Sequence, residues 1–519
     1  MVENMGNRRW WAAAALAISG VVIGIDGTVL SLALPTLATD LHASTAQLQW
    51  FVDGYLLVLG AMMLPAGLLG DRFGRKRLLL AALALFGLGS LACAYASSAG
   101  QLIAARALLG LAAAFVLPLS LSVLPVLFDE AERQRALAIV ASSAIASYPL
   151  GPIVGGWLLT NFWWGSVFLI NVPVIAVALL AVTFLMPESR SAARPRLDPV
   201  GILLSTGGLV GLTYGMITAG DHGWGNPSAV AFMAAGALVL AGFVAWERRV
   251  ARSGTRQPLV DLDLFRSRSF SWGTVLSTLL SFSLIGLLFA VPQYFQAVLG
   301  YDAMGAGLRL LPLIGGMIVG LGVGDRISTK AGPKITVAIG FAVAAAGLIM
   351  GASTSAQDGT GLAATWLTVA GIGTGVALPS AMNAALGRLT GERSGVGSAL
   401  ISAVRQVGGT FGVAVLGSVL NSAYRGRLDL AGLSSQASDA VRDNVAAGVV
   451  VARQLGSADL LAMVDGAFIH GMDVLLACSG GIAAAAAVLA LAFLPGRTSR
   501  RDEPPSPARS APEQAPTPV

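Results

Sequence analysis

Residues 67–76 read Gly-Leu-Leu-Gly-Asp-Arg-Phe-Gly-Arg-Lys, and residues 324–334 return to the theme as Gly-Asp-Arg-Ile-Ser-Thr-Lys-Ala-Gly-Pro-Lys. Each is a short charged turn between two long apolar runs. Glu132-Arg133 and Glu392-Arg393 form a second, fainter pair of echoes. Fourteen apolar runs are present, each of about 20 residues, enough to cross a hydrocarbon core as a helix. The matching turns follow runs 2 and 10, so a unit of six helices recurs after an insertion of two. Duplication of this kind implies a substrate site between the halves, near the midplane.

The predicted architecture is therefore an all-α integral membrane protein of 14 transmembrane helices, two six-helix bundles plus two inserted helices. The first bundle covers 1–187. A linker carrying helices 7 and 8 covers 188–270. The second bundle covers 271–495 and includes a long extracellular loop at 422–470, polar at first and then amphipathic, placed to act as a lid. A Pro/Ser/Arg-rich cytoplasmic tail, expected to be disordered, covers 496–519.

Composition supports lipid as the solvent. Of 519 residues, 12% are charged and 55% hydrophobic, against about 25% charged in soluble domains. A disulfide scaffold is excluded by having only Cys93 and Cys478, both in apolar runs. The net charge of +6 does not mark a nucleic-acid partner, because the 33 Lys and Arg alternate between loops. Arg72, Arg75, Lys76 and Arg77, the linker arginines, and Arg326, Lys330 and Lys334 all fall on one side. By the positive-inside rule that side is cytoplasmic. The expectation is a multi-pass protein of the cell membrane with both termini cytoplasmic.

Only two carboxylates lie deep within the runs, Asp26 and Asp53, together with Arg106, Arg309 and Arg405. A charge at the bilayer centre costs about 2.5–3.5 kcal/mol on insertion scales, so these positions are functional candidates by default. At 1.5 Å per residue, Asp26 sits about 15 Å, Asp53 about 8 Å and Arg106 about 9 Å below the outer ends of their helices. Asp26 and Arg106 are therefore placed to pair. Either Asp26 carries a proton between the two aqueous sides, with Arg106 as its counter-charge, or the pair simply joins two helices. Asp53 reads as an attractor for a cationic substrate or as a solvated rim residue. Arg309 and Arg405 lack an acid in their own runs and either bond backbone carbonyls or meet an anionic or phenolic substrate. Tyr55, Phe115 and Trp157 are candidate cavity aromatics, with core or lipid contact as the alternative.

Five stretches carry a family resemblance. Residues 67–76 resemble motif A of the major facilitator superfamily. Asp26-Gly27-Thr28-Val29-Leu30 with Ala33-Leu34-Pro35 resembles the first-helix motif of its 14-helix drug:proton antiporter branch. Arg106-Ala107-Leu108-Leu109-Gly110 resembles motif B of the fourth helix, and Gly151-Pro152-Ile153-Val154-Gly155-Gly156 the antiporter motif C. Trp50-Phe51-Val52-Asp53-Gly54-Tyr55 is similar to the second helix of quaternary-ammonium exporters. The resemblance implies a proton-coupled antiporter that exports lipophilic drug-like or antibiotic compounds by alternating access. It needs no cofactor and no metal, only the proton gradient, and is expected to act as a monomer. Gly67, Gly70, Asp71, Arg72, Gly74, Arg75 and Lys76, with Asp325 and Arg326 in the second half, form a cytoplasmic gate in this reading. Gly151, Pro152, Gly155 and Gly156 form a small-residue seam that discourages proton leak.

Three rival functions fit the residues less well. A nutrient uptake facilitator shares the architecture but does not account for motif C or the inserted pair. A membrane enzyme needs a His/Asp/Glu or Cys/His constellation, whereas His42, His222 and His470 all lie outside the runs. A primary pump needs a phosphate-binding G-x-x-x-x-G-K-[ST] loop, which the sequence lacks.

Overall fold

The computed structural model describes residues 2–190, 198–253, 258–355, 358–387, 389 and 391–495. The 496–519 tail, Arg194, Arg196, Arg256 and Arg388 lie outside the described residues, as do the side chains of Glu392 and Arg393. A first bundle contains α1 (Val2–Asp40), α2 (Thr45–Phe73), α3 (Arg75–Ala94), α4 (Ala99–Leu127), α5 (Glu130–Asn161) and α6 (Ser166–Leu185, interrupted at Ile170). The inserted pair is α7 (Pro199–His222) and α8 (Pro227–Ser253). The second bundle contains α9 (Arg268–Gln293, continuing through a π turn at Tyr294–Val298), α10 (Ala303–Ala331), α11 (Pro333–Gly351), α12 (Gly359–Leu386) and α13 (Gly391–Arg425). Two short helices, α14 (Ser435–Asp443) and α15 (Val445–Gln454), precede its last member, α16 (Ala458–Phe493). Among the described residues, thirteen helices are long and apolar enough to span a membrane, and with the 32-residue α5 the fold has about fourteen long helices.

Helix starts follow local chemistry. Ser44, Ser98, Asp129, Ser267, Asp302, Ser434 and Ser457 each accept a backbone N–H three residues on, which satisfies a donor the helix leaves free. The two duplicated turns also end alike, on Gly74 (φ 114°) and Gly332 (φ 84°). Only glycine adopts such backbone cheaply, so the repeat seen in sequence is a repeat of geometry.

Each bundle has its own apolar core. Leu34, Phe51, Phe86, Leu109 and Phe168 belong to the first, and Tyr294, Phe341, Trp366, Phe468 and Leu476 to the second. The inserted α7 lies over the seam between α2 and α13, where Leu209 packs with Leu57, Ala61, Val407 and Phe411. α8 stands outside it, with Phe232 and Leu238 exposed to the surroundings.

We call the end of the molecule bearing Gly74 and Gly332 the basic face and the opposite end, under α14 and α15, the cap face. The long loop expected over 422–470 is largely helical. α16 begins at Ala458 because Val464, Ala467 and Phe468 bury an apolar stripe that extends the helix well before the bilayer-length run starts.

Candidate functional site

Asp26 of α1 and Arg106 of α4 meet at the centre of the first bundle, both fully buried. Arg106 Nη1 donates to Asp26 Oδ2 at 2.6 Å, and its Nε donates to the Phe51 carbonyl at 2.9 Å. The guanidinium lies 4.4 Å from the Tyr55 ring centroid and 5.9 Å from that of Phe168. The other carboxylate oxygen, Oδ1, accepts from Asn171 Nδ2 at 3.2 Å, and Asn171 Nδ2 also donates to Ser90 Oγ at 3.3 Å. Five elements thus converge on one carboxylate. Asn171 and Ser90 were missed because the sequence reading counted only formal charges inside the runs. The polar side chain within Phe168-Leu169-Ile170-Asn171-Val172 was the available signal.

Arg106 and Tyr55 also face the interface between bundles. There they line a cavity with Gly27, Ser31 and Val52 of the first bundle and Ile285, Leu288 and Phe289 of the second. A second cavity adjoins it, lined by Thr28, Pro152, Leu284, Leu288, Leu313 and Met317. Each holds about 20 Å³, room for about one water rather than for a drug-sized molecule. The interface between the bundles is closed here and mostly apolar, with the Arg106 guanidinium bordering one of the two cavities.

Asp53 points elsewhere. It shares a face of α2 with Gln49 and Leu57. Gln49 donates to the Val413 carbonyl at 3.1 Å, and Leu57 packs on Leu209. Asp53 is therefore sealed in the α2–α7–α13 seam, and neither of its carboxyl oxygens has a partner among the described residues. Thr213, one turn along α7 from Leu209, is also buried with an unpartnered hydroxyl. Arg309 turns onto the Tyr301 ring at 3.4 Å and donates to the Gly305 carbonyl of its own helix at 2.9 Å. Arg405 reaches Ser281 Oγ at 3.1 Å and Met382 Sδ at 3.4 Å within the second bundle. Phe115 packs on the first core, and Trp157 is half exposed with its ring against Phe162.

At the basic face, Asp71 pairs with Arg75 at 2.8 Å, Arg75 donates to the Ser122 carbonyl and Lys76 to the Thr183 carbonyl. These bonds stay within the first bundle. Asp325 and Arg326 are exposed. Among the described residues, the hydrogen bonds that join the bundles lie towards the cap face. Gln296 donates to the Leu32 carbonyl at 2.9 Å, and Thr160 Oγ1 donates to Asp302 Oδ2 at 3.2 Å. Motif C residues form part of that seam: Gly151 and Gly155 abut Thr28 and Val29 of α1, while Gly156 abuts Ala303 and Met304 of α10.

The cap completes the closure. Thr45 Oγ1 donates to the Asp443 carbonyl at 2.7 Å, and Asn444 Nδ2 to the Ala43 carbonyl at 2.8 Å while its Oδ1 caps α15. Burial, opposed by Arg425, raises the Asp443 carboxyl above its ordinary range. The protonated form is thus favoured by the fold, and the cap gains stability as pH falls and loses it as pH rises. Asn444→Ala removes a helix cap and a bond across bundles, each contributing about 1 kcal/mol. Amide exchange over 435–454 is expected to accelerate about tenfold or more, as hydrogen-exchange mass spectrometry will show.

The model of the Major Facilitator Superfamily matches residues 16–413. The tetracenomycin C resistance and export protein of Streptomyces glaucescens is 34% identical over 100% of this chain and 96% of its own length. The multidrug efflux pump LfrA of Mycolicibacterium smegmatis is 36% identical over 94% and 96%. Among solved structures, a bacterial homolog of the human lysosomal transporter Spinster aligns with a TM-score of 0.66 at 17% identity, covering 94% of this chain and 98% of that one.

Proposed function

Since the chain belongs to the major facilitator superfamily, a family of membrane transporters rather than enzymes, we propose that it exports lipophilic drug-like or antibiotic compounds in exchange for protons. Relatives named for tetracenomycin C export, multidrug efflux and puromycin resistance support the substrate class. The observation that carries the coupling is the buried Asp26–Arg106 pair, whose cationic member also borders the apolar path between bundles. In this reading the basic face is cytoplasmic, the cap face is external, and the protein works as a monomer in the cell membrane without a cofactor.

The cycle follows from the charges. An ionised Asp26 holds Arg106. A proton arriving on Asp26 from the cap side releases Arg106 toward the path, and substrate arriving from the basic side meets a site whose charge depends on that proton. A proton moved inward through 100 mV contributes about 2.3 kcal/mol to export. The turn containing Asp71, with Asp325 and Arg326 opposite, closes the basic face when the bundles rock the other way. The small residues of motif C seal the cap side. Arg309, Arg405, Tyr55, Phe115 and Trp157 remain candidates for substrate contact in the widened path, and Asp53 becomes one when its seam parts.

A growth-inhibition panel with ethidium, puromycin and tetracenomycin C in an exporter-deficient host identifies a substrate. That compound is then followed in inverted vesicles with an acid lumen. The wild type is expected to accumulate it while protons leave. Asp26→Asn is expected to lose uphill accumulation and proton release together and to keep downhill movement. Uphill transport by that variant would remove Asp26 from the coupling step.

A further inference from the structure

The second oxygen of Asp26 is held as deliberately as the first, by a residue that no charge count reveals. Asn171 sits where α6 is interrupted at Ile170; Pro173, two residues on, lacks the N–H that would continue the ladder. The interruption carries Asn171, itself fully buried, into the first bundle between α1 and α3. Both its contacts there are made by Nδ2, at 3.2 Å to Asp26 Oδ1 and 3.3 Å to Ser90 Oγ.

We propose that Asn171 is the positioning residue that adapts the Asp26 site to its two protonation states, with Ser90 as its hydroxyl partner. The proposal rests on the reading of Asp26 as proton carrier. A carboxamide presents two donors on one side and an acceptor on the other, and a serine hydroxyl serves as donor or acceptor. With Asp26 ionised, Nδ2 donates to both Asp26 and Ser90, as the structure shows. With Asp26 protonated, a half turn of the amide brings Oδ1 to the same two atoms. It then accepts the carboxylic proton and the Ser90 hydroxyl hydrogen. Neither state leaves Asp26 or Ser90 without its hydrogen bond in a dry site, where an unmade bond is costly. The proton adds or leaves without covalent chemistry; only the donor and acceptor roles exchange. Arg106 cannot do this, because a guanidinium has donors alone. Arg106 therefore serves the ionised state alone, whereas Asn171 bonds both states and the ionised one more strongly.

The ionised form loses more when the amide is removed, since a charge-assisted bond is about twice as strong as a neutral one. The test is modification of Asp26 by dicyclohexylcarbodiimide, which reacts with the protonated acid, read by mass spectrometry on the purified carrier across pH. For Asn171→Leu the labelling midpoint is expected to move up by about one pH unit, tenfold in proton affinity. Asn171→Ala, which adds no atoms, reads the same shift if the leucine variant does not assemble. A midpoint within about 0.3 unit of the wild type in both variants, or one that moves down, overturns the role of Asn171. That result leaves the reading of Asp26 standing. Uphill export by Asp26→Asn removes that reading instead.

Discussion

Replacing Arg106 with Leu will abolish coupled export and lower the stability of the carrier by about 3–5 kcal/mol, the cost of leaving a buried charge without its partner. Arg106 is the side chain with most to lose in the first bundle. Its Nη1 holds Asp26 at 2.6 Å, its Nε holds the Phe51 carbonyl at 2.9 Å, and its face lies 4.4 Å from the Tyr55 ring centroid. Leucine fills part of that volume and makes none of the bonds. Asp26 is then either an unpaired anion in a dry site or an acid that keeps its proton through the whole cycle, and neither delivers a proton to the other side. Arg106→Lys keeps the charge but cannot serve Asp26 and Phe51 with one planar fork, so an intermediate loss is expected. The decisive comparison is Arg106→Leu with Asp26→Asn/Arg106→Leu. Removing the charge from both partners is expected to recover most of the stability, read as the melting temperature in detergent. Coupled export stays at background. If the single variant melts with the wild type, the pair contributes nothing to the fold. If it exports with normal proton release, Arg106 has no part in coupling.

The difference between what residues say in order and what they say in space is sharpest at this site. The fourteen helices and their duplication were legible because bilayer thickness imposes a fixed length on each run and because Gly74 and Gly332 repeat a backbone requirement. Asp26 and Arg106 were legible because charge in hydrocarbon is rare enough to be a signal alone. Asn171 and Ser90 were not, since neutral polar residues are common in membrane helices, and only the fold shows that Asn171 bonds the carboxylate and Ser90 bonds Asn171. Asp53 illustrates the reverse. Depth along α2 placed it near a mouth, but depth says nothing of azimuth. The inserted α7 covers the face it shares with Gln49 and Leu57, and so seals it. The helices of the cap were read as a loop for a related reason. They are too short and too mixed to register as spans, and they fold because Thr45 and Asn444 anchor them across bundles.

Gly156→Val should trap the carrier with its cap face open. Gly156 lies on the side of α5 that meets α10, where a Cβ would come within 2.8 Å of the Met304 Cα and 3.0 Å of the Ala303 carbonyl oxygen. Both are backbone atoms of another bundle, so no side chain can swing aside; the bundles must separate. The effect falls mainly on one conformation, because Leu34, Phe86 and Phe168 of the first core and Phe341, Trp366 and Phe468 of the second stay packed within their own bundles when the halves part. Overpacking costs about 1–3 kcal/mol, which shifts the balance away from the closed cap by about five- to 150-fold. A carrier that cannot close one face cannot alternate, so export is expected to fall to background while the melting temperature stays near that of the wild type. Cysteines at Thr160 and Asp302, whose side chains touch across the same seam, report the closure directly. They are expected to cross-link readily in the wild-type background and poorly beside Gly156→Val. Gly207→Ala on α7, where an added Cβ meets open space, is expected to behave as the wild type in both assays. Efficient cross-linking in the valine variant would mean that the seam accommodates a side chain. The close approach of α5 to α10 would then not be what shuts the cap face.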